Sequence, residues 1–461
     1  MSMQVPMKYK RLVRDTGIFA LGSAGTKLVL FFLVPLYTHF MSDAEYGIAD
    51  LVVTVSQLII PFASLSIFDG VLRFGLAKGF RTCDTLLSGL IVSSIGSVAV
   101  LFLTPALVLY PAISEWRWLL SAYVVASLFN NLFMNYLKVK DRNRTYAVLS
   151  ILQTLALATL NIVLLGFYHW GIAGYLLSLV ASCGANSLFA LVLSGALTDL
   201  KTATIRKGMT KQILAYSSPL VLNSISWWVI QSSDKIMIDA MVGAAALGIF
   251  TVASKIPAMI NVIISIFSQA WGLSSIREYE SDNDTRFYSN VLNIYQAIAF
   301  GAAIVLTAIV KPFMAIYVGE AFAASWQFVP LLLASSAFSA IASYYGSLYL
   351  ALRKSLNNMW TTIAAALVNL ITNYFGIMLF GIWGAAIGTM VSFALLFIIR
   401  LIDVGRYLKI ELNKSILAAN ILIMLAEVGF VSLDYCGPLA SALAIATFAA
   451  VNGRLLLRRK R

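Results

Sequence analysis

The sequence predicts an all-α integral membrane protein of about 14 transmembrane helices, with two parallel six-helix lobes followed by two extra C-terminal helices. Three observations carry this reading: an apolar composition, bilayer-length apolar runs that recur from end to end, and basic residues confined to alternate loops. Of 461 residues, 60% are hydrophobic and 11% charged, with a mean hydropathy of +0.86. Water-soluble domains hold about 45–50% apolar and about 25% charged residues, so there is too little polar surface here to cover a soluble fold.

The apolar runs lie near 16–39, 47–72, 85–110, 117–137, 146–168 and 171–194, which form a first lobe within 1–200. Runs near 212–238, 247–271, 287–310, 327–351, 358–380 and 382–402 form a second lobe within 201–405. Two more, near 414–433 and 438–456, fall in 406–461 with a basic tail. Each run can cross a hydrocarbon core of about 30 Å as a helix. The longest polar stretches, near 195–211 and 272–286, are connectors rather than domains. The first run follows a basic segment as a secretory signal does, but its length makes it an uncleaved first helix.

Charge placement gives the orientation. Of 33 Lys and Arg residues, Lys27, Lys235 and Lys255 lie inside spans and only Arg117 and Lys311 fall in one set of loops. The rest, including Arg400 as the first residue of a connection, fall on the opposite side with both termini. The excess of basic residues on one side marks that side as cytoplasmic. The same bias produces most of the net charge of +13, which therefore does not indicate nucleic-acid binding.

The two-lobe reading rests on a weak internal repeat. Glu45-Tyr46-Gly47-Ile48 opens the second span and Ala246-Leu247-Gly248-Ile249 the eighth. An offset of six helices preserves membrane orientation, so the lobes are related by an axis along the membrane normal. Pro61 and Pro257 add a helix break to each unit.

Several chemistries are excluded. His39 and His169 belong to no metal-ligand pattern, and Gly22 to Lys27 departs from the phosphate-loop spacing. Neither a cofactor nor a metal is expected, and no loop is long enough to house an enzyme's active site. The three cysteines fall in different compartments and read as free thiols. Asn143, Asn283 and Asn413 open sequons, but in loops assigned to the cytoplasm, so glycosylation is not expected.

Charges inside the hydrocarbon core are the functional candidates. Lys27 lies about 20 Å into the first helix and Lys255 about 12 Å below the outer edge of the eighth, at about 1.5 Å per residue. A cargo anion or an acid on a neighbouring helix would satisfy either one. Lys235 lies beside Asp234 and Asp239, which reads as an interfacial ion cluster, and Asp50 reads as solvated. Asp69 and Arg73 share a helical face at i,i+4, either as a salt bridge or as a cytoplasmic gate. Glu427 lies about 20 Å into the thirteenth span, where it could pair with a lysine, carry a proton or face a lateral groove. Amides such as Gln57, Asn130, Gln231, Asn261 and Asn369 suit interhelical bonding, and collectively a wet cavity that accepts sugar hydroxyls. Gly384 and Gly388 form a G-x-x-x-G, read as close helix packing.

The run from Asp15-Thr16-Gly17 through Pro35-Leu36-Tyr37-Thr38, then Ser42 to Asp50 and Asp69-Gly70-Val71-Leu72-Arg73-Phe74, resembles bacterial polysaccharide flippases. These are the O-antigen and capsule repeat-unit translocases of the multidrug/oligosaccharidyl-lipid/polysaccharide exporter superfamily. Val242-Gly243 and Leu247 to Ala253 fit the same pattern. The resemblance implies alternating-access export of undecaprenyl-pyrophosphate-linked oligosaccharide across the bacterial cytoplasmic membrane. Lys27 and Lys255 would clamp the pyrophosphate, and Asp69, Arg73 and Glu427 would serve gating or coupling. Membrane lipids, a polysaccharide polymerase and glycosyltransferases are the implied partners. A multidrug antiporter of the same superfamily and a lipid II flippase are the alternatives.

Overall fold

The computed structural model describes residues 29–77, 79–204, 207–280, 285–352 and 354–457, and every regular element there is helical. Ten helices among the described residues are long and apolar enough to cross a membrane, or eleven if one bent pair counts as a single span. The chain is a multi-pass membrane protein, and about 14 spans is compatible with it. Residues before 29 lie outside the description, and Gly437–Gly453 is a shorter apolar helix. The fourth predicted span carries Asn130, Asn131 and Asn135, which lower its hydropathy.

The chain divides into two compact units, one spanning Leu28–Asp239 and one holding the helices from Ala240 onward. The first contains α1 (Val34–Phe40), α2 (Asp43–Ser64), α3 (Ile67–Gly75), α4 (Thr82–Leu103), α5 (Pro111–Ser114), α6 (Arg117–Val139), α7 (Asn143–Asn161), α8 (Gly171–Leu193), α9 (Ala196–Thr202) and α10 (Lys207–Met241). Ser42 starts α2 through a capping box with Glu45, which satisfies two backbone donors at once. The second predicted span is two helices rather than one. Leu65 and Ser66 both adopt left-handed backbone angles, φ 50° and 51°, four residues after Pro61 has removed a backbone donor from α2.

Helices α6, α7 and α8 pack together. An amide chain ties them: Asn186 donates to Asn130 at 2.8 Å and to Gln153 at 3.1 Å. Helix α10 is fastened to this unit along its length. The Ser88 and Thr210 hydroxyls are 2.9 Å apart, Trp228 Nε1 donates to the Thr54 carbonyl at 3.0 Å, and Tyr110 donates to Asp239 at 2.6 Å.

Asp199 accepts from Tyr136 at 2.5 Å and pairs with Lys140 at 2.7 Å. Burial works against its ionisation, but these two hydrogen bonds and the charges of Lys140 and Arg142 outweigh it and hold the carboxyl below its ordinary value. A carboxyl depressed in the folded state stabilises above the unfolded-chain value, near pH 3.9, and that contribution is lost as pH falls through the folded value. Thermal unfolding followed from about pH 5 downward should therefore show an acid-sensitive component that Asp199→Asn removes. An identical pH profile in the variant would contradict this.

The second unit contains α11 (Ala244–Ala253), α12 (Lys255–Glu280), α13 (Thr285–Tyr317), α14 (Val329–Ala351), α15 (Ser355–Phe380), α16 (Ile382–Gly405), α17 (Lys414–Ser432) and α18 (Gly437–Leu457). Its centre is α14, 94% of whose apolar window is buried. Alanines and serines from Ala334 to Ala342 let α12, α13 and α16 approach it closely. Trp271 stacks on Tyr344 at 4.7 Å. Helices α17 and α18 pair with each other and lie on α13.

The α15–α16 hairpin packs backbone to backbone. A Cβ on Gly384 would lie 1.9 Å from the Gly376 carbonyl, and one on Gly388 would lie 2.2 Å from Asn373 Oδ1. Gly384→Ala is expected to cost about 1–3 kcal/mol by overpacking. Thermal unfolding of purified protein measures this, and an unshifted midpoint would refute the close approach.

Candidate functional site

Lys27 lies outside the described residues. Of the other sequence candidates, Asp69 and Arg73 belong to the first unit, and Lys255 and Glu427 lie on different helices of the second.

Lys255 opens α12 at a 44° bend after α11. Pro257 has no N–H to return to the Ala253 carbonyl, which breaks the span at this point. Ladder bonding resumes with Ala258 donating to the Ser254 carbonyl at 3.1 Å. Irregular backbone at membrane depth is tolerated only where it is buried in protein or lines a water-filled cavity. The half-buried lysine sits at the positive end of the α12 dipole, and a cation combined with a helix N-terminus favours an anion there.

Asp69 and Arg73 lie on α3, and both are exposed. Their i,i+4 spacing yields no ion pair among the described residues. The Arg73 guanidinium lies 5.7 Å from the centre of the Tyr216 ring on α10. Glu427 on α17 is buried, 1% exposed, and lines a cavity between α17 and α18.

Three amides within the spans are also exposed: Gln57 on α2, Gln231 on α10 and Asn261 on α12. Among the described residues none of the three has a side-chain hydrogen-bond partner. Such amides are costly against lipid and suit a wet surface.

Asp50 and Lys235 depart from the sequence reading. Asp50 is buried rather than solvated, and its carboxylate meets Lys235 Nζ at 2.6 Å with side-chain exposures of 8% and 14%. Lys235 thus pairs across helices with α2, while the neighbouring Asp234 accepts from the Lys235 backbone at 2.9 Å.

The family described as "Polysaccharide biosynthesis protein" matches this chain over residues 12–271. The chain belongs to that family. No curated protein matches it by sequence. Its fold is shared with solved membrane transporters. A lipid II flippase, MurJ, in an inward closed conformation aligns with a TM-score of 0.70 at 12% identity, covering 96% of this chain and 100% of that one. An inward-facing multidrug resistance MATE family transporter of the MOP superfamily aligns at 0.66 with 16% identity, covering 84% and 95%. A MATE transporter of Vibrio cholerae, VcmN, aligns at 0.57 with 13% identity, covering 87% and 98%.

In this polysaccharide biosynthesis family member the span predicted over 382–402 holds Arg400, although the charge count assigns it to the following connection. It belongs inside α16 and is 1% exposed, rather than opening a cytoplasmic connection. The signal was present in the letters, because the apolar run continues past Arg400 through Leu401 and Ile402 before Asp403.

Proposed function

We propose that the chain is a flippase that moves undecaprenyl-pyrophosphate-linked oligosaccharide repeat units from the cytoplasmic to the outer leaflet, for polysaccharide, O-antigen or capsule assembly. Its two lobes would alternate access across the bacterial cytoplasmic membrane, with both termini cytoplasmic as the Lys/Arg bias requires. The observation that carries the reading is the broken α11–α12 span with Lys255 at the start of its second half. A pyrophosphate needs fixed positive charge inside a low-dielectric protein, and a discontinuous transmembrane helix aims its N-terminus at anionic groups in other transporters. The exposed amides Gln57, Gln231 and Asn261 suit sugar hydroxyls, while the polyprenyl tail stays in lipid.

Within this reading Lys27 and Lys255 clamp the pyrophosphate, Asp69 and Arg73 act at a cytoplasmic gate, and Glu427 serves coupling. A polysaccharide polymerase and glycosyltransferases would act on the cargo before and after transport.

A sided assay in proteoliposomes tests it, scoring lipid-linked glycan that becomes accessible to an impermeant lectin. Faster exposure than in empty vesicles is expected. A lost charge-assisted contact is worth about 1.5–3 kcal/mol, so Lys27→Ala and Lys255→Ala should each slow transport by about tenfold or more. Wild-type rates in both correctly inserted variants would sink the clamp. The fold likeness to MurJ favours lipid II as the second cargo to supply, and preferential exposure of lipid II would replace the first reading.

A further inference from the structure

The cavity between α17 and α18 contains a buried acid with no ion-pair partner among the described residues. Both carboxyl oxygens of Glu427 are shielded from solvent without a hydrogen-bond partner among the described residues, and Ser441 on α18 is the polar side chain that comes near. The cavity measures about 290 Å³ and is walled by Ile423, Phe430, Leu439 and Leu443, with Thr447 and Cys436 also lining it. Phe430, Leu439 and Leu443 are 46%, 63% and 60% exposed, so the opening is apolar and faces sideways from the helix pair. Glu427 lies five residues before Ser432, the last residue of α17, about 8 Å from the end remote from Lys414 at 1.5 Å per residue.

A carboxyl cut off from water either keeps its proton or takes a cation in the proton's place, and a cation of matching size can make that exchange. A divalent metal ion does not fit, because it requires about six oxygen ligands and these walls present one carboxyl and one threonine hydroxyl. Small hydrated cations would also have to shed water against aliphatic side chains. An ammonium group on an apolar body meets both demands: the head pairs with Glu427, and its leading methylenes replace water along Leu439 and Leu443.

We propose that this cavity binds a primary ammonium group carried on an apolar body, which reaches Glu427 sideways from the bilayer. The site is distinct from the lysine clamp and does not rest on which lipid the chain moves, since that cargo is an anion.

The protein carries its own reporter. Cys436 lines the cavity and is exposed, whereas Cys83 and Cys183 are buried, so a methanethiosulfonate reagent applied to the purified full chain reads the cavity mouth. Saturating dodecylamine is expected to slow modification of Cys436 by about tenfold in the wild type, an effect readable against the affinity scale. Dodecanol should give no protection, and Glu427→Gln should abolish the effect of the amine. Equal protection by dodecanol, or protection retained in Glu427→Gln, would overturn the proposal. Should Glu427→Gln not fold, Ala440→Phe, which fills the cavity and keeps the acid, must abolish amine protection instead, and protection retained there overturns it too. Nanodiscs identify the source of the ammonium group. Slower modification in phosphatidylethanolamine than in phosphatidylcholine assigns the site to a membrane lipid, and protection by dodecylamine alone assigns it to free amphipathic amines.

Discussion

Arg400→Met is expected to destabilise the protein by about 3 kcal/mol or more, because each buried acceptor left unpaired costs about 1–3 kcal/mol. The guanidinium is enclosed by the second unit and held by neutral acceptors from two helices. It donates to the Ala342 carbonyl at 2.8 Å, Asn358 Oδ1 at 2.7 Å, Thr362 Oγ1 at 2.9 Å and Thr361 Oγ1 at 3.3 Å. Methionine fills much of the space but bonds to none of these. Arg400→Lys should recover little, since an ammonium cannot reproduce the planar fork. Gly346 provides the room: a Cβ there would lie 2.5 Å from Arg400 Nη1, so Gly346→Val is expected to evict the same side chain. Thermal unfolding and size-exclusion profiles in detergent measure both variants, and a methionine protein as stable as wild type would refute the role.

The second large effect concerns Asp50 and Lys235. Removing one partner of a buried ion pair strands the other charge, at a cost of about 3–5 kcal/mol. Asp50→Leu and Lys235→Met should each unfold at markedly lower temperature. The double variant should regain a large part of the loss, because an apolar pair of similar volume fits that environment. Simple additivity of the two losses would mean that the 2.6 Å contact contributes no coupling. The consequence is local to the first unit, where this pair joins α10 to α2.

These two sites mark where the sequence is legible and where it is not. Span positions follow from hydropathy because each helix must match the bilayer by itself, and the family resemblance in the first 75 residues or so agrees with the match over residues 12–271. Partner choice is another matter. Lys235 has Asp234 and Asp239 as sequence neighbours, yet its ammonium meets Asp50, 185 residues away, because helix packing rather than chain distance sets the pairing. The break at Leu65 and Ser66 lacks the glycine that usually announces a left-handed residue. Asp69 and Arg73 share the expected spacing, but Arg73 faces Tyr216, an aromatic that one helix's periodicity cannot supply. For Glu427 the letters give the depth, and only the packing of α17 on α18 gives the cavity.

The closing helices carry a lesson about biogenesis. Asn420 on α17 and Asn452 on α18 are both fully buried, and each donates to the other's carbonyl, at 3.3 Å and 2.7 Å. Either amide buried without a partner is a liability, so Asn420 is satisfied only once α18 has packed on α17. The pair is suited to leave the insertion machinery as one hairpin. A chain truncated before Asn452 would leave the Asn420 amide without this partner.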